Sequence, residues 1–262
     1  MNLTLKGKRA LVCGSTQGIG KATAIELALL GAEVILTARN EEQLKKVSSE
    51  LDSSTGQNHK YIAVDFSNPQ LLQELVIKEI ESNGNIHILV NNTGGPAAGP
   101  IASAKTEEFT NAFNQHLICN HLLVQACMEG MKKDHYGRII NVISTSVKLP
   151  LKGLGVSNTI RAAVANWSKT LSIELASFGI TVNNVLPGAT NTVRLSSIIE
   201  NKSKRTGISQ EEIKKEMLHE IPAGRFADAS EIANAVAFLA SPAAAYINGI
   251  NVPVDGGRTG CL

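Results

Sequence analysis

Residues 10–20 read Ala10-Leu11-Val12-Cys13-Gly14-Ser15-Thr16-Gln17-Gly18-Ile19-Gly20: a short aliphatic run, then a glycine-rich turn, then the start of a helical pattern. Glycines at these positions carry no Cβ. Without one, the backbone turns sharply, approaches a pyrophosphate closely, and leaves the first N–H groups of the helix aimed at the anion. The spacing is Gly-x-x-x-Gly-x-Gly rather than Gly-x-Gly-x-x-Gly. Taken alone, such a turn also reads as punctuation between two elements; its place after a strand and before a helix favours the phosphate reading.

The same alternation continues along the chain. Further strand candidates are Val34-Ile35-Leu36, Tyr61-Ile62-Ala63-Val64, Ile86-His87-Ile88-Leu89-Val90, Ile139-Ile140-Asn141-Val142-Ile143, Val182-Asn183-Asn184-Val185-Leu186 and Ile250-Asn251-Val252-Pro253-Val254. Helical patterns occupy 19–30, 41–52, 69–82, 107–133, 157–177 and 229–240, the last opened by Asp228 with Glu231 at capping-box spacing. Gly31 and Gly179 fall just past helix ends, where glycine suits a left-handed cap. This rhythm predicts βαβ units and a parallel sheet, and the near-continuous apolar runs predict strands covered on both faces. It breaks only over 187–224, where a polar helix from Gln210 to Glu220 sits between two loops, so this stretch is expected to be a lid or substrate loop.

Composition excludes several classes. Of 262 residues 43% are apolar and only 4% aromatic, so the core must be built from Ala, Val, Ile and Leu, and disorder is excluded. A net charge of +2, from 25 basic and 23 acidic residues, argues against nucleic acid or a membrane as partner. A small ligand is expected. Cys13, Cys119, Cys127 and Cys261 form no Cys-x-x-Cys pair, which argues against a disulfide framework and a zinc site. His116 and His121 lie on different faces of their helix, so no metal is expected there. The N-terminus lacks the layout of a signal peptide, and the expected location is cytoplasmic.

The second strand ends in Thr37-Ala38-Arg39-Asn40, about 20 residues after the glycine turn, where NAD-binding chains place an acid for the ribose 2′-hydroxyl. Arg39 would instead pair with a 2′-phosphate, so NADP (NADPH) is favoured over NAD. An ordinary solvated loop arginine is the alternative.

Five motifs make the chain resemble the short-chain dehydrogenase/reductase family over nearly its whole length. They are the Gly-x-x-x-Gly-x-Gly turn at 14–20, Val64-Asp65, Asn91-Asn92-Thr93-Gly94, Pro187-Gly188 and Asp255-Gly256-Gly257. The pattern is most similar to the branch of 3-oxoacyl-(acyl-carrier-protein) reductases. The resemblance implies an α/β Rossmann fold: a single doubly wound domain over 1–262, a seven-stranded parallel sheet in the order 3-2-1-4-5-6-7, and a lid over 187–224. It also implies a homotetramer or homodimer. Its cofactor contacts would come from Gly14, Ser15, Thr16, Gln17, Gly18, Ile19 and Gly20; from Arg39, Asp65, Phe66, Asn92, Thr93 and Gly94; and from Arg161, Pro187, Gly188, Thr190 and Thr192.

The catalytic positions depart from the family. The family serine corresponds to Ser144, but the tyrosine position falls on Ser157 and its lysine partner on Arg161, and no tyrosine lies between Tyr136 and Tyr246. An aliphatic alcohol is a far weaker acid than a phenol with pKa ~10, so Ser157 cannot simply replace it as proton donor. Arg161 can still hydrogen-bond ribose hydroxyls but stays protonated. The family asparagine corresponds to His116, whose ordinary pKa of ~6.5 suits proton transfer. His116, alone or through water and Ser157, is one candidate acid; a structural histidine satisfied within the helix is the other reading.

The leading expectation is an NADP-dependent oxidoreductase moving hydride between the cofactor and a carbonyl or secondary alcohol, with an acyl thioester among the candidate substrates. A nucleotide-binding sensor or scaffold subunit that has lost turnover is the alternative. In the lid, Val193, Leu195, Ile198 and Ile199 with Lys214 and Lys215 suit an apolar tail and an anionic carrier, or simply a solvated amphipathic helix.

Overall fold

The computed structural model describes residues 1–261. The first aliphatic run forms β1 (Arg9–Cys13), all of it buried. Because successive side chains of a strand point to opposite faces, Ala10 and Val12 enter one apolar layer while Leu11 and Cys13 enter the other. The remaining strands are β2 (Glu33–Ala38), β3 (Lys60–Ala63), β4 (Ile88–Asn91), β5 (Gly137–Val142), β6 (Ile180–Pro187) and β7 (Asn251–Val254). They form one seven-stranded sheet in the order β3-β2-β1-β4-β5-β6-β7, every neighbouring pair parallel. The chain order reverses between β1 and β4, which opens a crevice at their carboxyl ends.

Helices cover both faces, as unbroken apolar strands require. On one side α1 (Gly18–Leu29), α2 (Glu41–Glu50) and α9 (Ala229–Ala240) bury Leu27, Leu44 and Val236. On the other, α3 (Pro69–Asn83), α5 (Cys119–Lys133) and α6 (Gly155–Leu175) bury Leu72, Leu123 and Leu175. Local chemistry sets the helix ends. Asn40 and Asn68 cap α2 and α3 with their side chains, Pro69 takes the first turn of α3, and the Glu231 carboxylate accepts the Asp228 N–H. Gly179 ends the helical segment after α6 at φ +74°. Element ends differ from the sequence reading by about one or two residues.

Two segments differ in kind. The pattern over 107–133 is α4 (Thr106–Phe113) and α5 joined by a π turn over Asn114–Ile118. The lid holds two helices, since α7 (Val193–Thr206) precedes α8 (Gln210–His219) where a loop was expected. Local signals account for α7: Thr192 caps it by accepting the Leu195 N–H, Gly207 closes it at φ +73°, and Leu195 and Ile199 pack with Ile213 of α8.

A ladder of asparagine side chains ties the carboxyl half of the sheet together. Asn91, Asn141, Asn184 and Asn251 stand in register on β4 to β7. The amide of Asn91 donates to Asn141 at 2.9 Å, Asn141 to Asn184 at 2.9 Å, and Asn184 to Asn251 at 2.8 Å. A buried amide needs such partners, and this chain of them holds in place the strand ends from which the functional loops leave. No helix among the described residues is long and apolar enough to cross a membrane, and no cluster of metal-ligating side chains occurs among them.

Candidate active site

A cavity of about 1320 Å³ opens above the carboxyl ends of β1, β2, β4, β5 and β6, the place where open α/β sheets bind ligands. At one end the glycine turn forms its floor. Gly14 and Gly18 hold φ +61° and +54°, a region that disfavours side chains. A Cβ on Gly14 would lie 2.5 Å from the Asn92 carbonyl oxygen, and one on Gly20 would lie 2.2 Å from that of Gly14. Asn92 pins the turn by donating its side-chain amide to the Cys13 carbonyl at 3.1 Å. The N-terminus of α1 has no side-chain cap at Gln17, so its first N–H groups remain available to an anion.

Thr16, Gln17, Gly18 and Ile19 line the cavity beside Gly14. Ser15 and Gly20 do not; they support the turn from behind. Ser15 is fully buried and its hydroxyl oxygen accepts the Thr37 N–H at 2.9 Å, bracing the turn against β2. Gly20 is needed for the close approach to Gly14.

Arg39, Asp65 and Phe66 line the far end of the cavity. Arg39 Nη1 lies 3.8 Å from Asp65 Oδ2, with the arginine side chain 77% exposed, so the guanidinium is free to move onto a phosphate. The Ser67 N–H, reinforced more weakly by Arg39, holds the Asp65 carboxyl below its usual range. Glycines that admit no Cβ, an uncapped helix N-terminus and an unburied arginine at the end of β2 together fit a dinucleotide with a 2′-phosphate. Pro187, Gly188 and Thr190 close the wall from the end of β6, while Thr192 lays its methyl over Gly18, 3.2 Å from where a Cβ would stand.

At the other end Ser144, Ser157 and Arg161 face the same cavity. Ser144 follows β5 and caps a short 3-10 turn, its oxygen accepting the Ser146 N–H at 3.1 Å, which leaves the hydroxyl proton for another acceptor. Ser157 and Arg161 lie one turn apart on α6. Arg161 is buried and donates Nη1 to the Val142 carbonyl at 3.0 Å. Burial, and secondarily the charge of Arg194, lowers its pKa to about 10. It is therefore a cation at neutral pH.

His116 does not line the cavity. It sits behind it at 3% exposure, with Nδ1 2.5 Å from the Thr93 hydroxyl and Nε2 without a partner. Burial first, then Arg161 and Arg194, lowers its pKa to about 3. Its surroundings therefore favour the neutral imidazole, bonded to Thr93. Within the π turn Gln115, not His116, lines the cavity wall.

Other wall residues escaped the sequence reading. Arg194, Lys202 and Arg205 join Ile198 in presenting one face of α7 to the cavity, and Lys152 lines it from the loop before α6. Lys214 and Lys215 are absent from the wall, and Lys214 bonds Glu211 at 2.9 Å, so the basic side chains that the lid presents to the site come from α7. The spacing of Arg194, Ile198, Lys202 and Arg205 is helical and readable, but only once 193–206 is recognised as a helix.

A family profile described as enoyl-(acyl carrier protein) reductase matches residues 14–259. The chain is similar to the 3-oxoacyl-(acyl-carrier-protein) reductase FabG of Vibrio cholerae, 38% identical over 255 residues covering 97% of this chain and 98% of the relative. It is 31% identical to the NADPH-dependent reductase BacG of Bacillus subtilis, with 95% and 97% of the two chains covered. Among solved structures it is similar to L-sorbose reductase from Gluconobacter frateurii complexed with NADPH and L-sorbose: TM-score 0.92, 30% identity, 100% of both chains covered.

Proposed function

The chain belongs to the short-chain dehydrogenase/reductase family, and from that premise we propose that it is an NADP-dependent oxidoreductase reducing the carbonyl of a small molecule, an acyl thioester among the candidates. One observation carries the proposal: a single cavity joins the glycine turn and Arg39 at one end to Ser144, Ser157 and Arg161 at the other. NADPH, when bound, supplies the hydride. The turn and the open N-terminus of α1 receive its pyrophosphate, and Arg39 its 2′-phosphate.

The chain's own groups handle the charge that develops on the substrate oxygen. Ser144 donates its hydroxyl to that oxygen, and Arg161 places a permanent positive charge in the same buried wall. The proton comes from solvent. Ser157 passes it by accepting from water while donating its own, so the serine never ionises, and His116 stays neutral behind Thr93. Supporting the NADP assignment are Arg39 and the relatives named for NADPH. A subunit without turnover has no observation of its own in its favour.

A second reading is favoured by the missing phenol together with the enoyl reductase profile. Hydride added to a C=C conjugated with the carbonyl leaves an enolate, which Ser144 and Arg161 stabilise, and the proton is then taken at carbon rather than at oxygen. Turnover of NADPH with cyclohexanone against cyclohexenone separates the two by product.

The test of the main proposal is NADPH oxidation across β-ketoacyl thioesters, diketones and cyclic ketones. Turnover is expected, with Ser144→Ala lowering kcat about 10²–10³-fold, as for removal of one oxyanion donor. Tight NADPH binding with no turnover on any member overturns it. Assembly as a homodimer or homotetramer, read by sedimentation velocity, and residence in a reducing compartment such as the cytoplasm belong to the same proposal.

A further inference from the structure

The two walls of the cleft meet through arginines seated on glycines. Arg194, near the start of α7, donates Nη2 to the Pro96 carbonyl at 2.6 Å, and that atom lies 3.1 Å from where a Gly95 Cβ would stand. Near the other end of α7, Arg205 Nη2 lies 3.3 Å from where a Gly153 Cβ would stand. Gly153 holds φ +78° and follows Lys152, so the loop turns its bare backbone to the guanidinium, and the neighbouring lysine lines the same cavity.

Neither Arg205 nor Lys152 has an ion pair or hydrogen bond among the described residues, and both line the cavity. A shortage of acids does not explain this. Other cations of the lid or bonded to it are paired: Lys202 with Glu216 at 2.9 Å, Lys204 with Glu200 at 2.6 Å, and Arg258, from beyond β7, with Glu220. Of these acids only Glu220 reaches the cavity, and Arg258 already holds it. Two like charges held at the mouth of a cleft repel each other and focus a positive potential into it. The same cavity is lined by the apolar side chains of Leu149, Leu154 and Ile198.

We infer that the substrate carries an oxyanion, bound between Arg205 and Lys152 as the lid lies over the cleft, with its apolar body directed inward to Ser144. This rests on the reading of the cavity as the site of an NADP-dependent reductase. The planar guanidinium suits a carboxylate or phosphate through paired N–H donors, and the ammonium adds a point charge.

Calorimetric titration of the protein first with NADP⁺, then of the NADP⁺-saturated protein with two matched pairs, tests it: octanoate against octanamide, and pantetheine 4′-phosphate against pantetheine. At least one anion is expected to bind tenfold or more tightly than its neutral partner. Arg205→Gln with Lys152→Gln should abolish that preference while leaving NADP⁺ affinity unchanged, and Lys214→Gln should not affect it. Preference for octanoate identifies a carboxylate on the substrate itself; preference for the phosphate identifies a carrier arm. Equal binding within both pairs, no binding of either anion, or a preference that survives the double substitution overturns the inference. Failure to bind NADP⁺ overturns the reading beneath it, so the two failures are distinct.

Discussion

Arg161 changes what the catalytic wall is able to do. A lysine there would be a flexible point charge with a tunable proton; the guanidinium is a fixed fork anchored on the Val142 carbonyl, and with its pKa at about 10 it stays charged. Its charge also reaches His116. In the unfolded chain that imidazole takes up a proton below its ordinary 6.5, whereas in the folded protein it does so only near 3. Between those values the unfolded state binds more protons, so acidification through this window removes stability and a return to neutral pH restores it. His116→Asn is therefore expected to flatten the dependence of Tm on pH between about 6.5 and 4; an unchanged acid limb would mean that His116 is not held neutral. Arg39 acts at the opposite end of the cleft. Arg39→Ala should weaken NADPH about 10- to 100-fold, the worth of one charge-assisted contact, and leave NADH nearly untouched. Titration by cofactor fluorescence measures both, and an equal loss for the two nucleotides would remove the 2′-phosphate assignment.

At the scale of elements, pairing across strands explains more than propensity does. Asn141 sits in the middle of the amide ladder and Asn251 at its end. Asn141→Ala leaves a donor on Asn91 and an acceptor on Asn184 unpaired in the interior, an expected loss of about 2–4 kcal/mol, whereas Asn251→Ala removes one bond at a partly exposed edge and should cost about 1 kcal/mol. Urea unfolding of the two variants checks the order, and equal losses would mean that the ladder does not act as a unit. The strands themselves were legible as apolar runs, and the capped helices as S/T/N/D-led patterns. The π turn was not, because the apolar pattern of 107–133 suits one unbroken helix and carries no local signal for an extra residue at 114–118. Helix α7 was missed for another reason: its apolar positions are few, and they find their partners only on α8.

For the whole molecule, the same aliphatic packing that fills both layers also decides cysteine chemistry. Cys13, Cys119 and Cys127 are buried, and burial pushes the thiols of Cys119 and Cys127 up to about 12 and that of Cys13 higher still; only Cys261 is exposed. A thiol reagent should label one cysteine in the native protein and four in denaturant. Rapid native labelling of more than one would show that the layers open. The distribution of charge also exists only at this scale. A net charge of +2 gives no hint of a cationic cleft, because most acids of the lid are consumed in local pairs while Arg205 and Lys152 are left facing the cavity.

The sequence by itself determined the order of elements, the parallel sheet, the phosphate-binding turn and the loss of the phenol, since each depends on residues near one another in the chain or on a position within a motif. The tertiary structure alone decided which side chains share the cavity. It turned Ser15 and His116 away from the wall and brought Gln115, Arg194 and Arg205 to it. Those outcomes depend on how helices rotate and where loops 95–100 and 148–154 meet the lid, and these are set by packing between segments far apart in sequence rather than by any local pattern.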